Sequence, residues 1–409
     1  MFCRNENWVV LIFTFGLTLS ACAPASTQPT PIASTSAPPA SITETPILLP
    51  TESPPSRAER EFTTDFNKHS VPYSEILSGG PPKDGIPALK EPQLVSVSDA
   101  DAWLKPAEPV ILVQVGEDAR AYPIQILIWH EIANDTVGGE PLVVTFCPLC
   151  NTAIAFKRTV NPSTSSGQGG QVLDFGTTGR LRYSNLIMYD RQTETWWQQA
   201  TGEAIAGELT GTQLEFYPAA IISWQDFKMA YQDGRVLSRE TGYPRDYGHN
   251  PYVGYDDVNN PPFLYRGPVT PDQLPPVARV LTLDLNGEAV AYPYETLEKI
   301  GVANDMVGGE AVVIFWQPGT VSPLDSASTA SGHDVGAAAA FSRTVDERTL
   351  TFLAEEGLIK DDETGSTWNV LGMATSGPLA GRQLIQVISV NHFWFSWAAF
   401  RPETRIYQP

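Results

Sequence analysis

The chain is poor in cysteine. Four occur in 409 residues, and two of these, Cys3 and Cys22, lie near its start. A disulfide-stapled framework is therefore excluded, and a folded core must be held by burial. Cations are scarce as well: 26 Lys and Arg face 46 Asp and Glu, a formal net charge of −20. Such a surface argues against nucleic acid and anionic lipid as partners. Several catalytic signatures are missing. There is no GxSxG elbow, no HExxH pair and no phosphate-binding loop, so the common hydrolase and nucleotide-binding readings lack support. Carboxylates are too plentiful to single out a glycosidase pair. After the first apolar run, no stretch is long and apolar enough to span a membrane.

That first run, Trp8 to Leu19, follows Arg4 and ends in Leu19-Ser20-Ala21-Cys22. The pattern looks like a bacterial lipobox. Residues 1–21 are expected to be a signal peptide, with Cys22 the lipid-bearing new N-terminus. Residues 22–60 are rich in Pro, Ser and Thr and read as a disordered tether. At about 3 Å per residue it could hold the folded part up to ~100 Å away. The expected location is the cell envelope, anchored through lipid on the extracytoplasmic side of a bacterial membrane.

The remainder contains one pattern twice. Ala121-Tyr122-Pro123 returns as Ala291-Tyr292-Pro293, and Asn134-Asp135 as Asn304-Asp305. Val137-Gly138-Gly139-Glu140 returns as Val307-Gly308-Gly309-Glu310. Counting onward, Asp190 and Trp196 fall on Asp362 and Trp368, and Trp224 on Trp394. Ordered matches of this length indicate a tandem duplication. We divide the chain into a first repeat, 61–265, and a second, 266–409.

Each repeat is expected to be a β-rich α+β unit with short helices, a β-sandwich or distorted barrel. Val110 to Val115 and Leu142 to Phe146 are apolar runs of strand length. Ala153 to Phe156 and Leu186 to Tyr189 are shorter candidates. Ser223 is a natural N-cap for a helix whose apolar stripe is Trp224, Phe227, Ala230 and Tyr231. A second short helix is expected over Ile124 to Trp129, after Pro123. Asn161 to Gly170 reads as a flexible loop. Gly242 to Tyr255, dense in Tyr, Gly and Pro, either decorates a site or joins the repeats as a rigid connector.

Three segments of the first repeat carry a family resemblance. They are WHEIANDTVGGEPLVVTFCPLCNTAIAF at 129–156, SNLIMYDRQTETWWQQATGEAIAG at 184–207 and TGYPRDYGHNPYVGYDD at 241–257. Over about 110–260 the chain resembles the DUF3179 family, a domain of unknown function, and the second repeat resembles a degenerate member. The resemblance implies no activity, so function must come from the residues.

The chemistry-bearing residues belong to one copy. His130 becomes Ile300, Cys147 becomes Gln317 and Cys150 becomes Thr320. Soft thiolates with an imidazole suit copper or zinc, copper first, for carriage, delivery to a metal donor or acceptor protein, or electron transfer. Met188, which counting places on Lys360, is a candidate fourth ligand. A second reading is a thiol–disulfide oxidoreductase using Cys147 and Cys150, tuned by His130. A third is a noncatalytic binding module with a local disulfide; Tyr183, Tyr189, Trp196, Trp197 and Tyr243 could line a pocket, though such residues are commonly core. Asp135 and Asp190, kept in both repeats, are expected to serve turns or caps.

Overall fold

A computed structural model describes residues 52–160 and 170–409. Cys22, the tether up to residue 51 and the loop at 161–169 lie outside the described residues. Strands dominate, spread over several sheets with short helices between them. This is the β-rich α+β class expected from the sequence.

The first half runs β1 (Pro109–Val115), β2 (Asp118–Pro123), α1 (Ile124–His130), β3 (Ile132–Val137), β4 (Glu140–Cys147) and β5 (Thr152–Lys157). After these come β6 (Phe175–Arg182), β7 (Asn185–Asp190), β8 (Trp196–Gln198), β9 (Ala220–Ser223) and α2 (Trp224–Ala230). Val110, Ile111 and Val113 are wholly buried, as β-branched residues on a strand covered on both faces should be. Pro123, with φ −60°, starts α1 without a side-chain cap. The Ser223 hydroxyl caps α2 by accepting from the Asp226 amide at 3.0 Å. The β3–β4 hairpin turns at Gly138, φ +54°, where a Cβ would stand 2.6 Å from the Val115 carbonyl. Only glycine fits there.

The second half repeats the order: β10 (Arg279–Leu285), β11 (Glu288–Pro293), α3 (Tyr294–Ile300), β12 (Val302–Val307), β13 (Glu310–Gln317) and β14 (Ala337–Ser342). β15 (Phe352–Glu355), β16 (Leu358–Asp361), β17 (Thr367–Trp368), β18 (Val390–Phe393) and α4 (Trp394–Ala398) complete it. Buried polar contacts recur with the elements. Asn134 accepts from the Phe175 amide at 2.7 Å, and Asn304 from the Phe352 amide at 3.0 Å. The Tyr122 hydroxyl donates to Asp135 and that of Tyr292 to Asp305, each at 2.7 Å.

These bonds correct the pairing obtained by counting. The Trp197 indole donates to Asp190 at 2.9 Å, and the Trp368 indole donates to Asp361 at 2.9 Å. Asp190 therefore answers to Asp361, and Trp197 to Trp368. Trp196 instead packs edge-on against Phe62 and Phe66. Hydrogen-bonding roles decide the register; a loop that gains one residue defeats counting.

The halves share their cores. The cluster around β1, β4 and β5 takes in Val277, Leu324, Val390, Phe393 and Phe395 from the second half. Across the seam β5 meets β18 and β9 meets β14. No helix among the described residues is long and apolar enough to cross a membrane.

Candidate functional site

Cys147 is the last residue of β4. Pro148 then opens a single 3-10 turn that ends at Cys150. This turn places the two side chains side by side. Both thiols are buried and free of a disulfide. They converge on one acceptor, the Ser184 carbonyl, 3.8 Å from Cys147 Sγ and 3.3 Å from Cys150 Sγ. Burial, and after it the Cys150 thiol and Glu131, pushes the Cys147 thiol well above its ordinary range. Cys147 is therefore held as the protonated thiol at neutral pH.

His130 does not join it. The β3–β4 ladder carries the backbone of residues 130 and 131 to the end of β4, where the Phe146 amide donates to the Glu131 carbonyl at 2.8 Å. The imidazole is committed elsewhere. Nδ1–H donates to the Pro87 carbonyl at 2.7 Å, which fixes the tautomer, so Nε2 accepts from the Tyr247 hydroxyl at 2.6 Å. Burial lowers its pKa to about 4, leaving a neutral ring. Among the described residues, one group of three His, Cys, Asp or Glu has its ligand atoms within 4.8 Å of one another: Asp256, Asp325 and His333. Arg279 already pairs with Asp256 there, at 2.7 Å.

Met188 is wholly buried on β7, opposite Trp197. Ile359 stands opposite Trp368 in the same way. The counterpart of Met188 is thus Ile359, not Lys360, and a thioether exchanged for a buried aliphatic chain is ordinary core filling. Asp190 caps a turn, accepting from the Thr193 amide at 2.6 Å, as its retention in both halves suggested. Tyr189, Trp196 and Trp197 are core residues rather than pocket lining.

Glu131 was missed from the sequence. It terminates α1 with φ +59°, a left-handed conformation that glycine adopts freely. Its counterpart is Gly301, φ +68°. The Glu131 carboxyl is buried, has no hydrogen-bond partner among the described residues, and burial raises its pKa to about 8. It lies near enough to Cys147 and Tyr252 to disfavour their ionisation. A second left-handed residue adjoins the thiols. Ser184, φ +63°, sits in the β6–β7 turn where the second half has Gly357, φ +78°. Each costs roughly 1–2 kcal/mol over glycine. At these two positions the half without the dithiol has glycine instead. The glycine at 301, read against Glu131, was the available signal.

The segment 242–255 roofs the site and joins the halves. The Tyr255 hydroxyl donates to the Leu149 carbonyl at 2.9 Å, inside the cysteine turn. Its backbone is tied to the second half by Asn250 N to Ala327 O, 2.9 Å, and Tyr255 N to Leu324 O, 3.1 Å. Behind the thiols the floor is polar: Gln199 donates to Thr145 at 3.0 Å, and Thr152 bonds to His392 at 2.9 Å.

Residues 83–404 match the model of a family described as a protein of unknown function, DUF3179. The match spans both halves. No curated protein and no solved structure matches the chain.

Proposed function

The chain belongs to the DUF3179 family, whose description assigns no activity, and from that premise we propose that its first half is a thiol–disulfide exchange centre. Cys147, the slightly more exposed of the two buried residues, is the nucleophile and Cys150 the resolving thiol. Once ionised, as it is above about pH 8, Glu131 accepts the Cys147 proton. The thiolate attacks one sulfur of a substrate disulfide, forming a mixed disulfide and releasing one thiol, which takes up a proton. Cys150 then loses its proton and attacks the Cys147 sulfur. The protein disulfide forms and the second substrate thiol leaves. Two protein thiols and one disulfide become one protein disulfide and two thiols. A reductant of the same class reverses the sequence.

The observation that carries this reading is Glu131: a buried carboxyl in a left-handed position beside Cys147, where the half lacking cysteines has Gly301. A carboxyl with a pKa of about 8 matches the working range of an acid–base group at neutral pH. Copper or zinc ligation by Cys147, Cys150 and His130 would require His130 to release two hydrogen bonds and turn. Thiol chemistry asks for no such rearrangement and therefore comes first. Lipid attachment at Cys22 would place the centre in an oxidising envelope compartment, where a cycling dithiol needs a disulfide partner.

The test is equilibration of the purified protein in mixtures of 2-mercaptoethanol and its disulfide, with acid quenching and mass analysis. Reversible conversion between dithiol and disulfide is expected. Thiols that stay reduced throughout and hold copper or zinc would overturn the reading.

A further inference from the structure

An open groove of about 700 Å³ lies against the cysteine turn. Leu149, between the two cysteines, forms part of its floor with Tyr252 and Tyr255, while Val253 and Phe263 form its rim. The same residues link groove and thiols. Ser184 accepts both thiols on its carbonyl and donates its hydroxyl to the Phe263 carbonyl at 2.5 Å. Val253 and Phe263 are each 58% exposed, apolar surface that ordinary solvation does not favour. Among the described residues no charged side chain lines the groove, and Asn260 is the one polar side chain besides the tyrosines. The only charges between residues 251 and 264 are the carboxylates of Asp256 and Asp257.

We infer that this groove docks an extended polypeptide segment of the substrate, one with an apolar or aromatic side chain beside its disulfide. The inference rests on the thiol–disulfide reading of the same site. Charge decides between substrate classes. An anionic small disulfide such as oxidised glutathione needs cations to hold its carboxylates; none lines the groove among the described residues, the nearby guanidinium of Arg279 is already paired with buried Asp256, and the chain as a whole carries a net charge of −20. A neutral apolar segment loses nothing to that field and gains by covering Phe263 and Val253. Docking there would press on Tyr252 and Tyr255, the side chains that roof the thiols.

The experiment uses the full mature chain and a fluorescein-labelled apolar decapeptide with a central Phe and Ser in place of Cys. Without cysteine the peptide reads docking alone, so failure of docking and failure of redox cycling are separate results. Fluorescence anisotropy should show saturable binding, weakened at least about tenfold by Phe263→Asp or Val253→Asp, as expected for anchors at an interface centre. Both side chains are largely exposed, so the variants should keep the wild-type melting temperature. Equal binding by wild type and both variants, or no binding, overturns the inference. So does loss in the variants of self-association or of vesicle flotation with no effect on peptide binding, since the face would then serve a second copy or a bilayer.

Discussion

Glu131 bears two unfavourable terms at one position, a left-handed backbone and a buried carboxyl. Replacement by the residue of the second half, Glu131→Gly, should therefore stabilise the protein by at least about 1 kcal/mol in denaturant unfolding. The same change should slow alkylation of Cys147 above about pH 8, where the carboxyl is ionised and can accept the proton. Unfolding should also depend on pH in a defined direction. The folded carboxyl keeps its proton up to about pH 8, whereas the unfolded chain releases it near 4.5. The folded state thus binds more protons in that window, and stability falls as pH rises through it. Below pH 6.5 the opposite tendency enters. His130 stays neutral down to about pH 4 and His392 to about pH 3 in the folded state, while unfolded histidines take up protons. Maximum stability is expected near pH 6.5, with a loss of roughly 2 kcal/mol by pH 8. Glu131→Gln should flatten that decline. Chemical denaturation across this range checks both limbs, and an unchanged slope in the variant would remove Glu131 as its cause.

At the level of strands, legibility followed burial and turn chemistry. Val110 to Val115, the Ser223 cap and the Pro123 helix start were readable because each is set by local physics: β-branched burial, a capping hydroxyl, a fixed φ. That the two cysteines lie together was readable from their spacing. The direction of the His130 imidazole was not, because Pro87 and Tyr247, which hold it, lie far away in sequence. Joint loss of His130 and the cysteines marked one region but not one ligand set. Counting also misplaced β7, since the equivalence of Asp190 with Asp361 rests on indole hydrogen bonds. The corrected pairing makes a prediction. Met188→Ile, copying Ile359, should cost under about 1.5 kcal/mol and leave dithiol cycling intact. Loss of bound metal in that variant would restore Met188 as a ligand. The β5–β18 seam makes another. Thr152→Val leaves His392 Nδ1 without its partner, and Nε2 already has none among the described residues. A destabilisation of about 1–3 kcal/mol is expected, measured by thermal or urea unfolding.

Over the whole molecule, the second half acts as the missing wall of the first. Leu324, Val390, Phe393 and Phe395 belong to the core that contains Cys147 and Cys150. A chain ending at residue 265 should therefore lack cooperative unfolding and leave both thiols freely alkylated, whereas the full chain protects them. The segment 242–255, tied to Leu324 and Ala327, lets the second half hold the roof over the thiols. The most direct test of this account is redox equilibration of the Cys147–Cys150 pair in 2-mercaptoethanol buffers, read by mass after acid quenching. The account predicts one reversible two-electron transition, at a potential between about −120 and −270 mV, where exchange proteins operate. Thiols that never oxidise, together with near-stoichiometric copper or zinc lost on Cys147→Ser, would contradict it.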